Sequence, residues 1–309
     1  MIFGILDRML LLLACTAPTA DSGTDALDEG PLVPLFSIAA VADPHLSSDG
    51  EHADRTARLV DWINENAGTR GIELVVISGD IAWGAGLKIA PELLNALTVP
   101  YVPVIGDNEI HNGVEADFIA TAAPMLDTLQ GQVEDWRAAE MPVDNPEVDQ
   151  LSWLMNYSFT HRGVRLVALD WNARVENTIF GEMAELHDFE GGTLPFLEEE
   201  LALHGEGPEG GMILASHHPM HMSPAAFDLA EMESLSTLIA PYGDRIYADL
   251  AGHYHVDMET TEEAGYDVLV TDAIWDDVIT VRLISVSAAH RGEEVSRYAY
   301  EQELIILED

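Results

Sequence analysis

Hydrophobic residues in the first third of the chain form short runs, and amphipathic segments separate these runs. Residues 36–42, 73–78 and 101–105 are compatible with buried strands, and an acidic residue or a glycine followed by one comes directly after each. Residues 53–66 and 87–97 place apolar side chains at helical spacing. The repetition of strand, loop and helix predicts a largely parallel sheet, in which polar groups at the carboxyl ends of the strands meet in one crevice.

The rest of the chain continues these patterns, except between residues 115 and 151. That stretch is acidic, contains Pro124, Pro142 and Pro146, and has weak periodicity, so we interpret it as an insertion or lid. A hairpin around Arg162-Gly163 is predicted for 156–160 and 164–170. The other predicted elements are helices at 194–203 and 227–238 and strands at 212–216, 246–251, 266–271, 278–287 and 297–307.

The N-terminal segment ends its apolar run in Leu12-Leu13-Ala14-Cys15, which resembles the lipobox of bacterial lipoproteins. In that family the cysteine is lipidated and becomes the mature N-terminus, so residues 1–15 are predicted to be a signal peptide. Residues 16–34 are rich in small and polar residues and predict a flexible tether before the core domain, 35–309. The resemblance implies a protein outside the cytoplasm, anchored to a membrane through Cys15.

The signal departs from the lipoprotein pattern in two respects. Asp7 weakens the positively charged start, and the apolar run is shorter than usual. A cleaved signal of a secreted or periplasmic protein, or a misplaced start codon, therefore stays open.

The charge of the chain narrows the choice of partners. There are 55 acidic and 13 basic residues, which gives a formal net charge of −42, and Lys88 is the only lysine. Such a surface repels nucleic-acid backbones, so we expect no nucleic-acid partner. The composition suits a halophilic or marine setting, in which salt screens self-repulsion, or an acidic exoprotein of a mesophile. Because Cys15 is the one cysteine, an intrachain disulfide and a cysteine zinc cluster are both excluded.

Motifs that carry Asp or His follow five of the predicted strands. A carboxylate such as Asp80, at the end of a buried strand, is costly unless it is paired or binds a metal. His253 and His255 are alternate residues of an extended segment, so both rings can face one metal centre. The motifs are Asp43-Pro44-His45, Gly79-Asp80, Gly106-Asp107-Asn108-Glu109, His217-His218-Pro219 and Gly252-His253-Tyr254-His255.

The order of these five motifs resembles that of the calcineurin-like metallophosphoesterases. The resemblance extends from about Phe36 to His255 and implies a four-layer α/β/β/α sandwich of two mixed sheets, with a dinuclear metal site at the strand ends. It implies Asp43, His45 and His255 as ligands of the first ion, Asp80 as the bridge, and His217 and His253 as ligands of the second. Oxygen and imidazole ligands suit Fe, Mn, Zn or Co. In this chemistry, the two ions lower the pKa of a shared water and clamp the phosphoryl oxygens.

One motif differs from the family pattern, which is Gly-Asn-His followed by Asp or Glu. Read without a gap, Asp107 takes the place of the metal-binding asparagine and Asn108 takes that of the catalytic histidine; a shift of one residue would make Asn108 the ligand. Asn108 can donate a hydrogen bond but cannot donate a proton. We expect Asn108 to steady the phosphoryl oxygens, with His111 as a candidate proton donor or else a solvated loop residue. His218 is expected to support or contact the substrate, and His221 to reach the cleft or lie on its rim.

The sequence therefore predicts a metal-dependent hydrolase of phosphoesters, with small organic phosphomonoesters as substrates outside the cytoplasm. Two alternatives stay open. One is a phosphodiesterase or nucleotidase on the same scaffold. The other is a surface lipoprotein that binds metal without turnover, an alternative that Asn108 suggests.

Overall fold

The computed structural model describes residues 29–174, 183–221, 227–276 and 278–307. The predicted signal peptide, Cys15 and most of the predicted tether lie outside these residues, so they stay predictions. Within the described part of the chain, no helix is both long enough and apolar enough to cross a membrane.

The described residues form strands and helices that alternate through most of the chain. The strands are β1 (Val33–Val41), β2 (Ile72–Ser78), β3 (Tyr101–Val104), β4 (Glu134–Ala138), β5 (Val143–Asn145), β6 (Gln150–Ser152), β7 (Tyr157–His161), β8 (Val164–Leu169), β9 (Met212–Ser216), β10 (Ile246–Ala251), β11 (Met258–Thr261), β12 (Asp267–Val270), β13 (Ile279–Arg291) and β14 (Glu294–Leu307). The helices are α1 (Gly50–Arg70), α2 (Gly86–Leu94), α3 (Asp107–His111), α4 (Glu115–Gln130), α5 (Thr193–His204) and α6 (Leu229–Ile239).

The strands form two large mixed sheets and one small hairpin. The five-stranded sheet has the order β14-β13-β1-β2-β3, and the seven-stranded sheet has the order β11-β12-β10-β9-β8-β7-β4. In the first sheet, β1, β2 and β3 are parallel, whereas β13 runs antiparallel to β1 and to β14. In the second sheet, β8, β9, β10 and β12 are parallel, and β11, β7 and β4 add antiparallel pairings.

The two sheets pack face to face between layers of helices. Strand β8 illustrates this, because its successive side chains point to opposite faces. Leu166 and Ala168 belong to the core between the sheets, whereas Val167 and Leu169 belong to a second core against α5 and α6. On the other side, α1 packs its buried residues against the first sheet. The predicted α/β/β/α sandwich of two mixed sheets is therefore confirmed.

Helix α1 is longer than the sequence pattern predicts. It begins after Asp49, whose side chain accepts a hydrogen bond from the backbone N–H of Glu51 at 2.9 Å. It continues through Gly68 and ends at Gly71, which has a φ of 65° and donates its N–H to the carbonyl of Ala67. The helix thus uses an acidic N-cap and a left-handed glycine C-cap, and Gly68 does not interrupt it.

Residues 115–151 are more regular than their weak periodicity predicts. Helix α4 buries Phe118, Ala122, Met125 and Leu129, which recur at helical spacing, while Pro124 lies on the exposed face. Alanines on the other faces make the apolar stripe hard to see in the sequence. Strand β4 pairs with β7 at the edge of the second sheet, so this part of the segment belongs to the sandwich. A lid function for the segment stays a prediction.

Strand β11 is the one element of the large sheets outside residues 115–151 that the sequence pattern does not predict. Its side chains at residues 258–261 alternate between half-buried and exposed, and Glu259 and two threonines supply three of the four positions. This short edge strand therefore has no apolar run to mark it.

Candidate metal centre

The loops that carry the Asp and His motifs converge at the carboxyl ends of parallel strands from both sheets. The strands β1, β2 and β3 end just before Asp43, Asp80 and Asp107, respectively. In the second sheet, β9 ends at Ser216 and β10 ends at Ala251, so the His217 and His253 loops leave from the same edge. The sandwich thus brings together side chains that lie up to 212 positions apart, from residue 43 to residue 255.

Asp43, His45 and His255 form the first group of candidate ligands. Their nearest donor atoms lie within 4.8 Å of one another. The Oδ1 atom of Asp43 is 3.8 Å from Nε2 of His45 and 3.6 Å from Nε2 of His255. The geometry therefore offers one carboxylate oxygen and two imidazole nitrogens around a common point, a donor set that suits a transition-metal ion.

Asp107, His217 and His253 form a second group with the same donor set. The Nε2 atom of His217 is 3.2 Å from Oδ1 of Asp107, and Nδ1 of His253 is 3.6 Å from Oδ2 of that carboxylate. Asp80 lies between the two groups, with Oδ2 at 3.0 Å from His45 and Oδ1 at 3.5 Å from His217. Its two oxygens thus face different groups, as a bridging carboxylate requires.

Five of these side chains start from backbone in the left-handed region. The φ angles are 51° at Asp43, 50° at His45, 49° at Asp80, 70° at His253 and 50° at His255. A non-glycine residue in this region costs on the order of 1–3 kcal/mol and persists where the surrounding structure imposes it. Such a concentration of strained residues at one place is typical of a functional site.

All three glycines of the motifs lie where no side chain fits, and a Cβ on Gly252 would lie 2.6 Å from the carbonyl oxygen of Ser78. A Cβ on Gly79 would lie 2.2 Å from Nδ1 of His217, and a Cβ on Gly106 would lie 2.1 Å from the backbone nitrogen of Asp80. Gly79 also has a φ of 84°. The glycines before Asp80 and Asp107 therefore allow the His217 loop and the loop after β3 to approach the Asp80 loop.

The ring of His217 is oriented by a hydrogen bond between the sheets. Its Nδ1 donates to the carbonyl of Ser78, at the end of β2, at 2.9 Å. This bond leaves Nε2 pointing toward Asp80 and Asp107, and a backbone carbonyl on the opposite nitrogen is a frequent support of a metal-binding histidine. The local folding therefore directs the nitrogen that a metal would use into the site.

The electrostatics of the site are those of several buried carboxylates held against imidazoles. Burial opposes the ionisation of Asp43 and Asp80, but the neighbouring histidines outweigh it and lower the pKa of both carboxyls. Burial would also lower the pKa of His45, but Asp43 and Asp80 raise it to about 9. Burial and the charge of Asp80 raise the pKa of Asp107 to about 6. Negative charge is thus concentrated at a buried point, where bound cations would neutralise it.

Two buried carboxylate oxygens of the site test whether metal ions fit. Oδ1 of Asp43 and Oδ2 of Asp107 are buried and have no hydrogen-bond partner within the described residues. An unsatisfied buried oxygen is costly. Here Oδ1 of Asp43 faces the imidazoles of His45 and His255, and Oδ2 of Asp107 faces that of His253. The residues present therefore fit two metal ions, one at each group.

Residues 36–257 match the family model of the calcineurin-like phosphoesterases. The match covers more than half of the chain and includes all five motifs. The chain belongs to the calcineurin-like phosphoesterase family. It is therefore a hydrolase, and the family uses a dinuclear metal centre.

The solved structure of a phosphatase shares the fold of this chain. A dimetal phosphatase from Danio rerio superposes with a TM-score of 0.59 at 16% sequence identity, covering 87% of this chain and 99% of that one. A 5'-nucleotidase from Candida albicans gives a TM-score of 0.48 at 16% identity, covering 88% of this chain and 52% of the nucleotidase, so this chain spans about half of that protein. A comparison with curated proteins finds no match.

Within this phosphoesterase, the unusual motif places Asp107 and Asn108 differently. Asp107 is buried and faces His217 and His253, whereas Asn108 is half-buried and bonds Asp80. The backbone N–H of Asn108 donates to Oδ1 of Asp80 at 2.9 Å, and its side-chain amide donates to Oδ2. The geometry therefore favours the ungapped interpretation, in which Asp107 is the candidate ligand.

Glu109, the last residue of that motif, is a structural residue. Its carboxylate is fully buried and accepts hydrogen bonds from the N–H of Ala82 at 2.7 Å and of Gly106 at 2.8 Å. It therefore holds the loop after β3 against the loop after β2 and caps the start of α3.

The other predicted site histidines lie at different depths. His218 is fully buried; its Nδ1 is 3.0 Å from Oδ1 of Asn172, and its ring centroid is 4.2 Å from that of His253. His221 is buried with its ring 5.5 Å from that of Tyr254. His111 is exposed on the last turn of α3. The roles suggested for His218 and His111 stay predictions.

The sequence motifs do not include several residues that contact the site. Trp275 stacks on His45 with ring centroids 5.3 Å apart, and Trp83 meets the same histidine edge-on at 5.2 Å. Asn172, which follows β8, supports His218. A lone tryptophan or asparagine outside a motif carries no pattern that distinguishes it from a core or loop residue, so a single sequence offers no signal for these contacts.

Proposed function

We propose that the chain hydrolyses small organic phosphomonoesters with two metal ions. The observation that carries this proposal is the position of Asp80 between two groups of one carboxylate and two imidazoles each. In the proposed arrangement, Asp80 would bridge both ions. The first ion is held by Asp43, His45 and His255, and the second by Asp107, His217 and His253.

The donor set determines what the bound ions would supply. Oxygen and imidazole ligands without thiolate suit Fe, Mn, Zn or Co, and a pair of such ions activates water at neutral pH and neutralises phosphoryl charge. The protein's own contribution is to fix the ligands. Ser78 orients His217, and the backbone N–H of His253 donates to Oδ2 of Asp43 at 3.1 Å.

Asn108, in the place of the family's catalytic histidine, distinguishes this proposal from the family pattern. Asn108 replaces the histidine and supplies hydrogen-bond donors without a titratable proton. We propose that it orients Asp80 and the phosphoryl oxygens, and that His111, one helical turn from Asp107 on α3, is the candidate proton donor. His218, held by Asn172, is proposed to position the substrate. General acid catalysis typically contributes about 10²–10⁴-fold to the rate. A weak general acid would therefore lower kcat most for substrates with poor leaving groups.

The test combines metal analysis with a panel of substrates. The protein is stripped of metal, reconstituted with Mn²⁺ or Zn²⁺, and assayed against aryl and alkyl phosphomonoesters, nucleotides and phosphodiesters. Asp80→Ala, tested in parallel, is expected to lose at least about 100-fold in kcat and to bind less metal. Metal-loaded protein that hydrolyses nothing beyond what Asp80→Ala hydrolyses would favour the metal-binding surface lipoprotein instead.

A phosphodiesterase or nucleotidase activity is the second candidate. The aromatic rings of Trp83 and Trp275, both half-buried beside His45, favour it because such rings can contact the base of a nucleotide. Within the substrate panel, a kcat/KM for nucleotides or diesters well above that for alkyl monoesters would identify this activity.

The proposed location is outside the cytoplasm, with a lipid on Cys15. This part of the proposal depends on the lipobox-like segment Leu12 to Cys15, and the acidic composition is compatible with it. Metabolic labelling with a fatty acid would incorporate label into the wild type and not into Cys15→Ser. Equal labelling of the two proteins would overturn the anchor.

A further inference from the structure

A second cluster of metal-binding side chains lies outside the candidate metal centre. It consists of Glu147, between β5 and β6, and of Glu185 and His187, which precede α5. One donor atom from each residue lies within 4.8 Å of the other two. Neither the sequence motifs nor the family ligands include these residues.

The ring of His187 is buried and presents one nitrogen to the two carboxylates. Its Nε2 lies 3.0 Å from the carbonyl oxygen of Asn172, which can only accept, so Nε2 carries a proton. Its Nδ1 lies 2.7 Å from Oε2 of Glu147 and 4.0 Å from Oε2 of Glu185. A histidine that donates one ring N–H to a backbone carbonyl and turns the other nitrogen toward carboxylates has the supporting hydrogen bond typical of a metal ligand.

Glu185 supplies a second observation that favours a cation site in this cluster. Its Oε2 atom is buried and has no hydrogen-bond partner within the described residues. Glu185 and Glu147 each offer a carboxylate oxygen within 4.8 Å of the other. Carboxylates that repel each other at this distance are stabilised either by a shared proton or by a bound cation.

The cluster can be reached from solvent. Glu147 lies on its outer side, and residues on both sides of Glu147 line a depression of about 560 Å³ together with Phe189 and Glu190. The depression carries further carboxylates at Asp144, Asp149 and Glu190. Their negative charge would attract a cation to the entrance.

From this arrangement we propose that Glu147, Glu185 and His187 bind a third ion, a divalent transition metal such as Zn²⁺ or Mn²⁺. One imidazole nitrogen and two carboxylates are a competent set of three protein ligands for these metals. The ion would fix His187 and, through it, Asn172, whose side chain holds His218 near the candidate metal centre. Its role is structural support, and the proposal does not depend on the proposed hydrolysis.

The test is the number of ions bound by the full chain. Metal-free protein is dialysed against Zn²⁺ at about pH 8 in ~0.5 M NaCl, which screens weak binding to the acidic surface, and bound zinc is counted by mass spectrometry. Wild type is expected to bind three ions and Glu185→Gln two. Glu190→Gln, which removes a carboxylate of the adjacent depression, is the matched control and is expected to keep three.

Two further variants keep the result decisive. Glu147→Gln, on the solvent side of the cluster, should also lose one ion, and it tests the site even if Glu185→Gln folds poorly. In an Asp80→Asn background, Glu185→Gln should still remove one ion, which separates this site from failure of the proposed active site. If the Glu185→Gln and Glu147→Gln variants bind as many ions as the wild type, the proposal of a third site is wrong, and a shared proton stabilises the two carboxylates instead.

Discussion

Asn108 donates two hydrogen bonds to Asp80, from its backbone N–H to Oδ1 at 2.9 Å and from its side-chain amide to Oδ2. In the proposed centre Asp80 would bridge the two ions, and Asn108 would orient this bridging carboxylate. Loss of such a supporting partner typically lowers metal affinity or activity about 10–100-fold. We therefore expect Asn108→Ala to weaken Mn²⁺ binding by that factor in a calorimetric titration.

Removal of a side chain elsewhere on the neighbouring helix provides the control for Asn108→Ala. Asp117 is exposed on α4, so Asp117→Ala should leave the Mn²⁺ titration unchanged. Equal Mn²⁺ affinities of wild type and Asn108→Ala would show that the side-chain amide of Asn108 does not support metal binding by Asp80.

Asp107 offers a direct test of the register of the unusual motif. If Asp107 is the ligand, Asp107→Ala should lose the second ion, while Asp107→Asn, which introduces the residue that the family uses, should retain two. Metal content per chain measures both outcomes, and kcat should follow it, with Asp107→Ala at least about 100-fold below wild type. Two ions in Asp107→Ala would instead move the ligand to Asn108.

Two glycine-to-alanine substitutions should have opposite effects on stability. A Cβ at Gly106 would overlap the backbone nitrogen of Asp80, so Gly106→Ala should destabilise the fold by about 1–3 kcal/mol and displace the Asp80 loop. Gly68 is exposed within α1, where a Cβ meets nothing within 4 Å. Gly68→Ala should therefore stabilise the protein by about 0.5–1 kcal/mol.

Urea unfolding of the metal-free proteins measures both glycine effects in the absence of ligand binding. A neutral effect of Gly106→Ala would mean that the two loops can separate without cost, and that the glycine is not required for their close approach.

The sequence predicts the parts of the site that follow from the position of strand ends. Asp43 follows a short apolar run directly, and Asp80 and Asp107 each follow one after a single glycine. The carboxyl ends of parallel strands meet in one crevice, so the approach of these residues is predictable. The fold follows for the same reason, because buried strands and amphipathic helices alternate along the chain.

Contacts between distant segments are the part that the sequence does not predict. Asn172 lies 46 positions from His218, and Trp275 lies 230 positions from His45, with no spacing rule to connect them. The sequence does not predict helix α4 for another reason. Alanines on its exposed faces make the apolar stripe that contains Phe118 and Leu129 difficult to distinguish. The sequence thus identifies ligand-bearing loops, whereas the residues that hold those loops appear only in the folded structure.

Asp249 is one of the residues that hold a ligand-bearing loop in place. Its environment leads us to expect a pH dependence of stability. Its fully buried carboxylate accepts hydrogen bonds from Ser216 Oγ at 2.8 Å and from the N–H of Met220 at 2.9 Å, on either side of His217 and His218. Burial raises the pKa of Asp249 from 3.8 to about 7, although both hydrogen bonds act in the opposite direction.

Between about pH 4 and pH 7, the folded protein retains a proton on Asp249 that the unfolded chain has released. The stability from this group is therefore full below about pH 4 and is lost as the pH rises toward 7. Asp249→Asn cannot ionise, and its amide can accept from Met220 and donate to Ser216. The single hydroxyl proton of Ser216 would then be donated to the carbonyl of His218, which lies 2.8 Å away, and no longer to residue 249. The variant should thus keep the loop in place.

We expect Asp249→Asn to gain stability relative to wild type as the pH rises from about 4 to 7, by an amount on the order of a few kcal/mol. Urea unfolding at several pH values, with a chelator present so that metal binding does not contribute, measures the difference. Asp54→Asn, on the exposed face of α1, controls for the loss of one negative charge. A difference between Asp249→Asn and wild type that stays constant across this range would mean that Asp249 is ionised in the folded protein throughout, and that its two donors outweigh the cost of burying its charge.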